Sequence, residues 1–214
     1  MQGTIEKTIN FVQKTLANAE AGHDWFHIER VFKTAQSINQ HEKGDEQVVA
    51  FAALLHDIAD PKFNNGDEEV GPNMAATFLA SIGIDEEVIT HVKLIIQNMS
   101  FKNSFDSAAF TSKEMQIVQD ADRLDAIGAI GIARAFTYGG FKNRVLYDPA
   151  IKPEEHLTKE RYKNTTAPTI NHFYEKLLLL KDLMNTDAGK AIAAERHHFM
   201  ELYLQHFYKE WEGK

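Results

Sequence analysis

Three short strings hold most of the side chains able to do chemistry. In AFAALLHDIADPKF, His56 and Asp57 stand side by side at the end of an apolar run that begins at Val48. In GHDWFHIERV, His23 and His27 are four residues apart. In VQDADRLDAIG, the carboxylates Asp120, Asp122 and Asp125 are flanked by Ile117, Val118, Leu124 and Ile127. Carboxylates in apolar surroundings carry a large desolvation cost unless a counter-charge meets them. A divalent cation would supply it. An HD pair by itself is explained as well by a core histidine hydrogen-bonded to a neighbour, with a capping aspartate beside it. Adjacent helical residues diverge by about 100°, so His56 and Asp57 can share one ion only near a helix end or at a crowded junction.

The order H…HD…D in a helical chain resembles the HD superfamily of metal-dependent phosphohydrolases. HDWFHIERV, AALLHDIADPKF and DADRLDAIGAIG are similar to one bacterial branch of it. So is the C-terminal NHFYEKLLLLKDLMNTDAGKAIAAERHHFMELYL, which extends the likeness over nearly the whole chain. The resemblance implies four protein ligands for one ion. His27 matches the first histidine, His56 and Asp57 the doublet, and Asp122 the last aspartate, with Asp120 and Asp125 as nearby competitors. Asp122 and Asp125 share a helical face, so Asp125 could brace the site instead. His23 could do the same, or belong to the start of its helix. Two imidazoles and two carboxylates suit Mn2+, Fe2+, Co2+, Ni2+ or Zn2+, with Mg2+ less natural. His91 is either an extra ligand or a structural histidine.

Asp60 lies about one turn after Asp57, where some HD phosphohydrolases carry an acidic residue that handles the proton of the attacking water. The other reading makes it a helix-terminal aspartate before Pro61. Lys62 is a candidate phosphate binder or a solvated surface lysine. Arg123, Lys102 and Arg144 are candidates of the same kind. The resemblance points to a small phosphorylated metabolite, with nucleotides favoured: a nucleoside triphosphate cut to monophosphate and pyrophosphate. Nucleoside monophosphate dephosphorylation and cyclic-nucleotide cleavage are the enzymatic alternatives. A metal- or ligand-binding sensor without catalysis is the rival from another class, and Asp60 and Lys62 favour the enzyme. The P-loop, GxSxG, HExxH and Rossmann glycine patterns do not occur.

These side chains must be positioned by helices. Apolar residues recur at spacings of three and four through Ile5, Ile9, Val12 and Leu16, and again through Ile28, Val31, Phe32 and Ala35 after a capping Asp24. Over 45–59, Val48, Phe51, Ala52, Leu55 and Ala59 share a face that Ala53 and Leu54 widen, so this helix is expected to be central. Helices are expected over 69–81, after Asp85 with Val88, Val92, Ile95 and Ile96 inward, and from Thr111 or Ser112 through Phe136, with a break possible at DAIGAIG. The stretch 138–167 is the least regular. Two long helices, 168–183 and 187–211, close the chain, with Phe199, Tyr203, Phe207 and Tyr208 as core or helix contacts and His197 and His198 beside them.

The fold class is therefore all-α: a compact multi-helix bundle forming one domain over 1–214. The chain has 31 acidic and 23 basic residues, a net charge of −8, and no Lys/Arg cluster, which disfavours nucleic-acid polymers as partners. A local basic pocket still suits a small phosphorylated ligand. No apolar run approaches the ~20 residues of a membrane span. The N-terminus lacks the apolar core and cleavage site of a signal peptide. The absence of cysteine removes thiol chemistry and fits a cytoplasmic setting.

Overall fold

The computed structural model describes residues 2–17, 24–59, 67–99, 110–154 and 166–214. All regular structure among them is helical. Two compact units divide the chain, Met1–Asp122 and Arg123–Lys214.

The first unit contains α1 (Gln2–Thr15), α2 (Trp25–Glu42), α3 (Glu46–Leu55), α4 (Val70–Ser81), α5 (Glu86–Asn98) and most of α6 (Lys113–Asp125). Helix α3 is its centre, with every residue from Val48 to Leu55 buried. It packs against α1, α2 and α5. Its start is fixed by Asp45, whose Oδ1 accepts the N–H groups of Gln47 and Val48 at 2.8 and 3.0 Å. Such caps supply acceptors to the first N–H groups of a helix, which have none within it. Glu114 of α6 in turn accepts the Asp45 N–H at 2.9 Å. The rings of Phe11 and Phe78 stack 4.0 Å apart and tie α1 to α4. In α5 the inward residues are Ile89, Val92 and Ile95. Ile89 thus takes the position expected for Val88, and Ile96 is half-buried.

The second unit contains α7 (Gly128–Phe141), α8 (Asn171–Glu175), a 3-10 helix (Leu177–Leu183) and α9 (Asp187–Trp211). Along this part of the chain one open alternative is decided and one expectation is corrected. The helix expected through Phe136 breaks after Asp125, because Gly128 adopts φ 75°, a left-handed conformation that glycine takes at little cost. The helix expected over 168–183 divides at Lys176, with φ −145° and ψ −57°. Beyond it the chain forms a 3-10 helix, whose three-residue period puts Leu177 and Leu180 inside and leaves Leu179 outside; Leu183, at its end, is exposed. Only α9, at 25 residues, is a long C-terminal helix. No helix of the described residues is long and apolar enough to cross a membrane.

Candidate metal centre

His27 enters the site from the first turn of α2. Asp24 sets that turn, its Oδ1 accepting the backbone N–H of His27 at 3.0 Å. The His27 residue is 3% exposed. His56 and Asp57 come from the opposite kind of helix end. Helix α3 stops at Leu55, earlier than the 45–59 expected, and His56 is its C-cap. His56 keeps helical φ −60° and ψ −30°, so the doublet stands at the helix end, the place where two adjacent side chains can share one ion. Ligand atoms of His27, His56 and Asp57 lie within 4.8 Å of one another. The two imidazole rings are 5.4 Å apart and edge-on.

Asp122 completes the group from α6. Its Oδ1 is 3.5 Å from His27 Nε2 and 3.8 Å from His56 Nε2. Of the three carboxylates in this string, Asp122 approaches both imidazoles. Asp120 is fully buried, and Asp125 is ion-paired to Arg134.

The donor chemistry fits a cation. His56 Nδ1 lies 2.9 Å from the Ala53 carbonyl oxygen. A carbonyl only accepts, so Nδ1 carries a proton, and in the neutral imidazole Nε2 is then the nitrogen with the lone pair. That Nε2 is buried and has no hydrogen-bond partner. It lies 3.8 Å from an Asp122 carboxylate oxygen, so in the neutral form two acceptors face each other, the imidazole buried and the carboxylate 44% exposed. Buried polar atoms of this kind are rare and costly. A divalent ion held by His27, His56, Asp57 and Asp122 would remove the conflict, and the two carboxylates would balance its charge.

Several candidates stand elsewhere. His23, Asp60, Lys62 and Lys102 lie outside the described residues. His91 Nε2 is 2.9 Å from Ser112 Oγ and 3.6 Å from Glu114 Oε2. Burial pushes the Glu114 carboxyl up, but the Asp45 N–H, its own N–H, His91 and Ser112 together bring it below its usual range. Arg123 donates to the Leu183 carbonyl. Arg144 lies over the Tyr138 ring, 5.5 Å from its centroid. His197 and His198 both approach Glu201, at 3.3 and 3.8 Å. Tyr203, Phe207 and Tyr208 belong to an aromatic cluster that includes Tyr147 and Trp211, as expected of helix contacts. Sequence reasoning missed Arg134 and Arg196, which hold the end of α6. A signal for Arg134 existed: it is the lone charge in the apolar stretch AIGIARAF.

Comparison with known proteins adds to this geometry. The HD domain family model matches residues 25–127, which include all four converging side chains. The Bacillus subtilis protein YpgQ is 37% identical over 211 residues, covering 97% of this chain and 94% of its own. The chain belongs to the HD-domain family. Its fold is that of a Bacillus thuringiensis HD-superfamily hydrolase, at 46% identity, TM-score 0.80, and coverage of 100% of this chain and 99% of that one. The structure of Bacillus subtilis YpgQ in complex with ADP also aligns, at 34% identity and TM-score 0.75, over 96% of this chain and 97% of that one. These likenesses support a hydrolase of the HD superfamily. HD domains bind divalent metals, and His27, His56 and Asp57 are the cluster suited to one here.

Proposed function

We propose that this HD hydrolase cleaves nucleoside triphosphates to nucleoside monophosphate and pyrophosphate, with one divalent ion held by His27, His56, Asp57 and Asp122. The observation that carries the reading is the buried, partnerless Nε2 of His56 facing the Asp122 carboxylate. The nucleotide preference is supported by the ADP bound to YpgQ, a relative aligned over 96% of the chain. When bound, Mn2+ or a similar ion would polarise a phosphoryl oxygen and make water a better nucleophile. The alignment of relatives along the full length supports residues 1–214 acting as one functional domain, in a proposed cytoplasmic setting.

The chain's own groups divide the remaining work. The Ala53 carbonyl holds His56 in the tautomer that presents Nε2. The Asp24 cap fixes the turn that presents His27. Asp60 is proposed to accept the proton of the attacking water. Lys62, Lys102, Arg123 and Arg144 are proposed as phosphate binders, giving local positive charge to a chain whose net charge is −8.

The test is to strip the protein with EDTA, restore Mn2+, and supply nucleoside tri-, di-, mono- and cyclic phosphates. Anion exchange then separates pyrophosphate from phosphate. Equal amounts of monophosphate and pyrophosphate are expected from a triphosphate. Phosphate from monophosphates alone would make the protein a nucleotidase. Bound Mn2+ without turnover of any of these would make it a sensor.

A further inference from the structure

Helices α2, α3 and α6 bring the four converging side chains together, and their far ends meet at one hydrogen-bonded junction. Helix α2 has His27 in its first turn and Asn39 near its other end. Asn39 is buried; its Oδ1 accepts the Gly44 N–H at 2.8 Å and its Nδ2 donates to the Gly44 carbonyl at 3.2 Å. The next residue, Asp45, caps the start of α3, whose opposite end bears His56. The Asp45 N–H donates to Glu114 Oε1 at 2.9 Å. Glu114 lies in the first turn of α6, the helix that carries Asp122. Beside it, the Ser112 hydroxyl accepts the Met115 N–H at 3.1 Å and lies 2.9 Å from His91 Nε2 of α5. The Glu114 side chain is 14% exposed, with its Oε2 3.6 Å from the same His91 nitrogen. Little free space remains there: a Cβ on Gly44 would come 3.1 Å from Glu114 Oε1 and from Ile117 Cδ1. The junction and the four site residues all belong to the unit Met1–Asp122.

At ~1.5 Å per residue, the junction lies about 12–18 Å along these helices from the site. A helix is a rigid element, so a shift at its start is passed on to its later turns. Asp122 therefore moves with Glu114. A hydrogen bond of 2.9 Å is lost by about 3.6 Å. The bond from Asp45 thus confines the start of α6, relative to the start of α3, to within about 0.7 Å. Ligand distances in a metal site hold to about 0.2 Å, so release of that restraint is large on the scale of the site. We propose that Glu114 is a positioning residue for the metal centre, holding the start of α6 against the start of α3 so that Asp122 meets His27 and His56. This inference rests on the metal reading given above.

The test measures Mn2+ affinity on the EDTA-stripped full chain, from the electron paramagnetic resonance signal of the free ion. It compares wild type, Glu114→Ala and Glu114→Gln, each with Asp122 intact and in an Asp122→Ala background. With Asp122 present, Glu114→Ala is expected to weaken Mn2+ binding by about 3–30-fold. Glu114→Gln, whose amide oxygen can still accept the Asp45 N–H, should stay within about twofold of wild type. With Asp122 absent, Glu114→Ala should leave the residual affinity unaltered, since the side chain it positions is gone. Equal losses in both backgrounds would make Glu114 merely structural and overturn the proposal. A loss in Glu114→Gln as large as in Glu114→Ala would place the effect in the charge rather than the bond, and would also overturn it. Should Glu114→Ala fail to fold, Glu114→Asp, one methylene too short for the Asp45 N–H, makes the same comparison. A wild type that binds no Mn2+ refutes the metal reading and the proposal with it. A wild type that binds Mn2+ but is indifferent to Glu114 refutes the proposal alone.

Discussion

Replacing His56 by leucine should reverse the order of stability with and without metal. Leucine has a similar volume and no polar atom. In the metal-free protein the substitution removes a buried Nε2 that has no hydrogen-bond partner. Such an orphan costs about 1–3 kcal/mol. The substitution also loses the bond from Nδ1 to the Ala53 carbonyl, with a net worth of about 1 kcal/mol. The balance is a gain of about 0–2 kcal/mol, which for a chain of this length raises Tm by up to about 8 °C. Mn2+ at about 100 times its Kd stabilises the wild type by about 2.7 kcal/mol, or about 5–11 °C, through preferential binding to the folded state. The variant, short of one ligand, should gain little. Melting curves at pH 8 in EDTA and in excess Mn2+ read both signs. His56→Leu should melt at or above wild type in EDTA and below it in Mn2+. A variant destabilised by more than about 2 kcal/mol in EDTA would show that His56 holds the fold rather than awaits an ion.

His172 provides a pH signature independent of metal. Burial, then Lys176 and Arg144, push it down to about 4 from an ordinary 6.5. Between those values the unfolded chain takes up a proton that the folded chain refuses. Stability is therefore complete above pH 6.5 and declines as pH falls toward 4, by at most about 3 kcal/mol. Urea midpoints should show this slope, and His172→Gln should flatten it; an unchanged slope would reassign the effect to other groups. Gly128→Ala should cost about 1–2 kcal/mol for the left-handed backbone alone, read as a lower urea midpoint, with a further loss as Arg196 is displaced. Phe51→Ala, at a fully buried position of α3, should cost about 3–5 kcal/mol, and a value under about 1 would contradict the central place of that helix.

What was legible in the sequence was local. Asp24 is a capping residue just ahead of an apolar period, and its cap forms. The apolar residues of 45–59 announced a central helix buried on most sides, and α3, shorter than expected, is that helix. His27, His56, Asp57 and Asp122 stood out because each is an expensive residue in apolar company, and the structure brings them together. The failures came where three-dimensional contact overrides local period. Gly128 and Gly131 are compatible with a continuous helix by pattern. Only their packing against Arg196 and the Ala126 carbonyl shows why the chain must turn there. The pairing of Asp125 with Arg134 spans nine residues and matches no helical spacing. A run of four leucines satisfies an α-helical or a 3-10 period equally well, so the division at Lys176 carried no local signal.

The source of the oxygen in the products tests the central claim most directly. Wild-type protein loaded with Mn2+ should be allowed to hydrolyse a nucleoside triphosphate in 18O-water, with the products weighed by mass spectrometry. One labelled oxygen in the nucleoside monophosphate and none in pyrophosphate is the predicted result, since attack at the α-phosphorus leaves the solvent oxygen there. The labelled product should vanish in Asp57→Ala. Label in pyrophosphate or in inorganic phosphate would place the attack at another phosphorus, and turnover that survives both EDTA and Asp57→Ala would contradict a metal-dependent hydrolase built on the four converging side chains.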